Sequence, residues 1–231
     1  TLKHPALTHP NIHTVLLLIL GAIWSSAFLF IKIGVETIPP MTVAAGRIVL
    51  AAILLCIYLK IRGESLPPWG RVWWVVFLVG LLGNGLPFTL IGWGEQRIDS
   101  SLAAILMAIM PLSTVLLSHF LTSDERLNGP RIAGVVFGLA GVVVLVGPET
   151  LLRLGEDAWR QLAVAGGALC YAAAAVAARI LPPLSPASRG AAVMLCATLQ
   201  MLPLALWFDQ PWALTPSTES IVSVVYLGLF P

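Results

Sequence analysis

The sequence predicts an all-α, polytopic membrane protein. Three observations carry that prediction. Of the 231 residues, 58% are hydrophobic and only 10% are charged, with a mean hydropathy of +0.92. A water-soluble domain carries about a quarter of its residues as charges. Apolar segments of roughly 20 residues recur between short polar breaks, the length that crosses about 30 Å of hydrocarbon at about 1.5 Å per residue. Finally, the pattern of the first segment returns in the sixth.

The opening stretch TLKHPALTHPNIHT contains His4, His9 and His13. Two of these lie beside prolines and none has an acidic or cysteine partner nearby, so residues 1–13 read as a polar cytoplasmic tail and not as a metal site. The run that follows has no small-residue cleavage site and is long enough to span. Spans are predicted near 14–35, 41–61, 71–93, 101–121, 131–147, 159–181 and 190–208. An eighth apolar stretch starts near 220 and stops at Pro231. It is too short to cross a bilayer, so the sequence predicts that the natural protein continues.

In span one, Gly21, Trp24, Ser25 and Phe28 recur at helical spacing and share a face. Span two carries Arg47, which could snorkel to the interface, brace a helix, or draw anionic groups into a cavity. Span three reads GLLGNGLPFTLIGWGE. Asn84, flanked by Gly83 and Gly85 and close to Pro87, places an amide in mid-bilayer, where it needs a neighbouring helix or a substrate as partner. The glycines and the proline predict a bend there.

Glu95 follows Asn84 by about three helical turns and falls near the same face. If the helix continues through Gly94, Glu95 stands at the outer mouth of a cavity as a gate or proton acceptor. The competing reading is a surface carboxylate paired with Arg97 or Lys32. Arg97 and Asp99 read as solvated, Asp99 or Ser100 as the cap of span four, and Trp93 as an aromatic anchor at the interface.

Span four aligns Ala103, Met107, Met110, Pro111 and Thr114 on one side. Such Met-rich faces adapt to varied organic ligands, although they also serve ordinary packing. Pro111 cannot donate a backbone bond and frees a carbonyl one turn back. In span five, Gly134, Gly138 and Gly141 fall on nearly one side, a device for close helix approach within the chain or across a dimer seam. Gln200 places a second amide inside span seven.

The internal repeat links Trp24, Lys32 and Pro39-Pro40 in the first span to Tyr171, Arg179 and Pro182-Pro183 in the sixth. Arg47 and Arg189 then stand early in the following spans. Lys32 and Arg179 both read as helix-ending cations. Five spans separate the copies, so they lie in opposite orientations, as in the inverted repeats of secondary transporters. With the N-terminus inside, the loops hold eight basic residues on the cytoplasmic side and four outside.

The segment WGEQRIDSSLAAILMAIMPLSTVLLSHFLTSDERLNGPRIAGVVFGLAGVVVLVGPE, Trp93 to Glu149, resembles the EamA-type branch of the drug/metabolite transporter superfamily. The central Pro111, the DERL turn and the glycine-rich helix ending LVGPE carry the resemblance. WSSAFLFIKIG and AAGRIVLAAILL look similar as well. It implies ten helices in two inverted five-helix repeats, with this chain stopping in the eighth. On that reading, residues 14–147 form the first EamA repeat, 148–158 a connecting loop, and 159–231 an incomplete second repeat.

The function this implies is a secondary transporter of the bacterial inner (plasma) membrane, with its N-terminus in the cytoplasm. It would move small organic metabolites or drugs, likened to efflux, by alternating access. Trp24, Ser25, Phe28, Asn84, Met107, Pro111, Tyr171 and Gln200 are the candidate cavity residues, and Glu95 and Arg47 the gate or coupling candidates. The expected partners are a small-molecule substrate and membrane lipid. Proton coupling is a candidate drive, and the protein would act as a monomer or homodimer.

The alternative is a polytopic scaffold or assembly protein without transport activity. Enzyme function is not expected. The spans hold no aspartate and no histidine pair, His119 stands alone, and Ser25-Ser26 has no base close in sequence. The net charge of +2 does not suggest nucleic acid. Cys56, Cys170 and Cys196 lack metal or disulfide spacing, and no cofactor or metal is expected.

Overall fold

The computed structural model describes residues 10–121, 129–146 and 148–230. The N-terminal tail with His4 and His9, and the DERL turn at 124–127, lie outside them. Among the described residues the chain is helical throughout: α1 (Pro10–Thr37), α2 (Pro40–Ile61), α3 (Val72–Gly80), α4 (Leu86–Glu95), α5 (Ser100–Met107), α6 (Ile109–Leu121), α7 (Gly129–Val146), α8 (Ala158–Ala177), α9 (Pro186–Phe208) and α10 (Thr218–Leu229). Six stretches are long and apolar enough to cross a membrane: α1, α2, α3 through α4, α5 through α6, α8 with the turn after it, and α9. The helix ends fall close to the boundaries that hydropathy predicts.

Prolines and capping serines set several of these ends. Pro40 and Pro186 occupy the first turns of α2 and α9, where a missing N–H costs nothing. Ser185 and Ser217 accept from Ser188 N and Ser220 N to cap α9 and α10. Span three is interrupted as predicted, and the interruption is a π-helical turn at Leu81–Gly85, in which the Leu86 N–H reaches the Leu81 carbonyl five residues back. Pro87 has no N–H for Gly83 and its ring crowds that carbonyl. The wide turn absorbs the conflict, and the Thr89 hydroxyl donates to the Gly85 carbonyl at 2.9 Å. Span four breaks at Ala108, between α5 and α6. Pro111, three residues on, withholds the bond that Met107 would otherwise receive.

The most extensive packing joins α2 to α9, followed by α4 to α8, α6 to α8, and α1 and α2 to α10. Small residues allow the close approaches. A Cβ on Gly80 would lie 3.0 Å from the Val193 carbonyl oxygen, and one on Gly94 would lie 2.3 Å from Val164. The core is built around Ile31, Val35, Ile91, Leu102, Ala103 and Val164, with a second cluster of Ile48, Ala197 and Met201 between α2 and α9.

The central pair, α2 and α9, is fastened at both ends by the same device. Asp209, just past the end of α9, accepts the Thr42 backbone N–H and hydroxyl, each at 2.8 Å, in the first turn of α2. Glu64, just past the end of α2, accepts the hydroxyl of Ser185, which caps α9, and the Ser188 hydroxyl donates to the Ser65 carbonyl at 2.8 Å. A carboxylate thus meets a helix N-terminus at each end, where the dipole favours negative charge. The spacing from Pro40 to Pro186 equals that from Val72 to Thr218, so the order of elements repeats as well.

Three expectations need correction. Among the described residues nothing packs on Gly134, Gly138 or Gly141: a Cβ on any of them would meet nothing within 4 Å. Among the described residues α7 touches α5, α6 and the short 3₁₀ turn Pro148–Arg153, and its glycine face points away from them. Lys32 does not end its helix, because α1 continues to Thr37. Asp99 stands at the start of α5, but its side chain makes no cap bond; Arg153 takes it instead.

Candidate functional site

The π turn of span three lies against α2, α8 and α9, so the sequence feature that breaks the helix also marks where four elements meet. Gly83 faces Ala174 of α8 and Gly85 faces Met201 of α9. Asn84, between them, is buried. One turn further, Phe88 receives the guanidinium of Arg47, whose Cζ lies 3.7 Å from the ring centroid. Arg47 is 5% exposed, so it does not snorkel to the surface. A buried cation over an aromatic face is a strong arrangement in a low dielectric. Tyr171 of α8 meets the other side of this group, edge-on to Phe88 with centroids 6.3 Å apart, and within the field of Arg47. Arg47, Phe88 and Tyr171 therefore form one polar and aromatic group contributed by α2, α4 and α8, with Asn84 of the π turn one turn before Phe88.

Phe28 of α1 and Met107 of α5 join Tyr171 in packing against the main core cluster. The remaining candidates are elsewhere. Trp24 is 60% exposed and Ser25 and Pro111 are also exposed; the Ser25 hydroxyl turns back to the Ala22 carbonyl at 3.0 Å. The buried stripe of α1 runs through Ile31 and Val35 to Ile38 just past its end, instead of the Trp24 face. Gln200 donates to the Phe77 carbonyl at 2.9 Å and ties α9 to α3. Arg189 is exposed while Arg47 is buried, so the two repeat arginines do not share an environment.

Glu95, the last residue of α4, is 0% exposed, and neither carboxylate oxygen has a hydrogen-bond partner among the described residues. This overturns the surface-carboxylate reading. Arg97 is exposed, and Lys32 bonds the backbone instead: its Nζ donates to the carbonyls of Glu95 and Ile98 at 2.6 and 2.8 Å. There its charge complements the carbonyl end of α4. Beyond it, Arg160 of α8 stacks on Trp93 with its Cζ 3.8 Å from the ring centroid, and donates to the Trp93 carbonyl and to Gln96 Oε1.

Sequence reasoning missed Phe88, although its place one turn after Asn84 was a usable signal. It also missed the roles of Lys32 and Met201, which depend on contacts between distant segments. Of the cavities, one of about 280 Å³ lies between α2 and α9, lined by Thr42, Gly46, Val49, Leu202 and Leu206. Its lining is almost wholly apolar and includes none of the candidate residues. No group of three potential metal ligands exists among the described residues.

Comparison with known proteins agrees with this architecture. A solved crystal structure aligns over 91% of this chain and 74% of its own, with a TM-score of 0.63 at 25% identity. The uncharacterized inner membrane transporter YedA of Escherichia coli K12 is 31% identical over 90% of this chain, and the match spans 66% of its length, just under two thirds. Protein PagO of Salmonella typhimurium is 28% identical over 94% of this chain and 71% of its own. A probable terminal-alkyne amino-acid exporter of Streptantibioticus cattleyicolor is 28% identical over 90% of this chain and 68% of its own. The EamA-like transporter family matches residues 12–147, more than half of the chain. This multi-pass helical membrane protein therefore belongs to the EamA-like transporter family, within the drug/metabolite transporter superfamily.

Proposed function

We propose that this protein is a secondary transporter of the bacterial inner membrane. It moves small organic metabolites or drugs by alternating access, with its N-terminus in the cytoplasm. The observation that carries the reading is the buried Arg47 cation on Phe88, with Tyr171 edge-on to the same ring and the buried Asn84 one turn before it. Together they join helices from both predicted repeats at the point where span three loses regular α-helical bonding. Buried charges and amides inside a membrane cost free energy that packing alone does not return, and they mark transport pathways. π turns recur at functional sites for a related reason, since they re-aim side chains and free backbone groups.

The reciprocal fastening of α2 and α9 supports two inverted halves that rock about this pair. Solutes of amino-acid size suit a site that offers one cation, one amide and aromatic faces, and the similarity to an amino-acid exporter points the same way. Proton coupling is the drive we propose. The test is efflux of a labelled panel (amino acids, organic cations, organic anions) from vesicles holding the purified full-length protein, with and without a proton gradient. Transport of none of them above protein-free vesicles would favour the scaffold reading.

A further inference from the structure

The elements packed around α4 and α5 carry several cations, and each one is already engaged. Lys32 of α1 is bound to the carbonyls of Glu95 and Ile98. Arg160 of α8 is held by Trp93 and Gln96. Arg47 of α2 lies over Phe88. Arg153, in the 3₁₀ turn against α5, is paired with Asp99, the neighbouring acid. Among the described residues none of them forms an ion pair or hydrogen bond with the Glu95 carboxylate, whose two oxygens are fully buried and unpartnered.

Glu95 also stands seven residues after Phe88, two turns along the same face of α4, roughly 10 Å further on. Gly92 between them packs against Val35 and Pro40, so this face looks toward α1 and α2. The carboxylate thus extends the line that begins at Asn84 and Phe88. A carboxyl group at one end of that line and a cation near its middle would orient a solute that carries a positive group.

We infer that Glu95 is a recognition site for the ammonium group of an organic amine, reached when α1 parts from α4. This rests on the transporter reading and adds the charge of the substrate group that the site accepts. A carboxylate in a low-dielectric site gains most from a cation that brings its own hydrogen-bond donors. A primary ammonium supplies three. Lys32 is the resident cation nearby: it clamps the end of α4 by the backbone and leaves the side chain available. The clamp positions Glu95 through its backbone.

The experiment measures binding directly, so that its failure is distinct from a failure to transport. The full-length protein in detergent is titrated with three matched probes: 2-phenylethylammonium, 2-phenylethanol and phenylacetate. Tryptophan fluorescence, with Trp93→Phe to assign the part that comes from the indole two residues from Glu95, is one readout, and thermal unfolding gives a second. The ammonium probe is expected to quench Trp93 and raise the melting temperature, while the alcohol and the anion do neither. Glu95→Gln should weaken the ammonium response by about thirtyfold or more, the cost of removing one partner of a buried charge pair. Glu95→Asp should retain it within severalfold.

Equal responses to all three probes in the unaltered protein would overturn the inference, and that comparison needs no variant to fold. An unchanged ammonium affinity in Glu95→Gln would overturn it too. So would stabilisation by acid alone with no response to the amine, which would make the site one for protons only. Amine binding without any transport would leave the inference standing and count against the transporter reading.

Discussion

Removing the Asp209 carboxylate tests whether the fastening of α2 to α9 is energetic or merely geometric. In Asp209→Ala, the Thr42 backbone N–H and hydroxyl both lose the acceptor they hold at 2.8 Å. Loss of a side-chain cap costs about 1 kcal/mol. Loss of a negative charge beside a helix N-terminus adds about 0.5 kcal/mol, for a total near 1.5 kcal/mol. For a chain of this size that corresponds to a fall of about 3–6 °C in melting temperature. Asp209→Asn keeps an acceptor and loses only the charge, so its fall should be about 1–2 °C. The assay is thermal unfolding of the full-length protein in one detergent at low and high salt, with salt expected to narrow the gap between wild type and Asn. The reasoning is refuted if Asp209→Ala melts with the wild type, or if Asn loses as much as Ala.

Glu64→Ala should cost about 1 kcal/mol by the same thermal assay, because Ser185 loses its acceptor while still capping α9. Gly94→Ala should destabilise by about 1–3 kcal/mol, since the new methyl would overlap Val164. Gly138→Ala, with nothing within 4 Å, should be neutral or stabilise by up to about 1 kcal/mol; a loss instead would show that something in the whole protein covers that face. Arg47→Lys keeps the charge but gives up the flat stack on Phe88. It should lower stability by about 1–2 kcal/mol, to be read from unfolding in detergent, and should not substitute for Arg47 in transport.

Helix positions were legible in the sequence because they are set by local rules. Twenty-residue apolar runs, prolines at helix starts and serine caps act within one turn, and their outcome is visible in the chain itself. Asn84 and Glu95 stood out for the same reason, as polar groups where the bilayer tolerates few. Their partners were not legible. Lys32 looks like a helix end in the sequence because Pro39-Pro40 follow, yet α1 runs past it and its ammonium crosses to another helix. Trp24 shares a helical face with Ser25 and Phe28, but periodicity cannot say which neighbour that face meets, and the core of α1 lies on the stripe through Ile31 and Val35. The glycines of α7 show the same limit: small residues permit a close contact without specifying with whom. The acceptors Glu64 and Asp209 lie in short breaks between helices and look ordinary until α2 and α9 are known to be neighbours.

The two carboxylate fastenings lie at opposite ends of a helix pair long and apolar enough to cross the bilayer, so the same kind of contact faces two different solutions. Glu64 and its serine answer to one compartment, and Asp209 and its threonine to the other. Screening ions added on one side of a sealed vesicle will therefore loosen one fastening and leave the other at full strength. The composition of the two aqueous phases can bias which end of the α2–α9 pair yields first, even when no substrate is present.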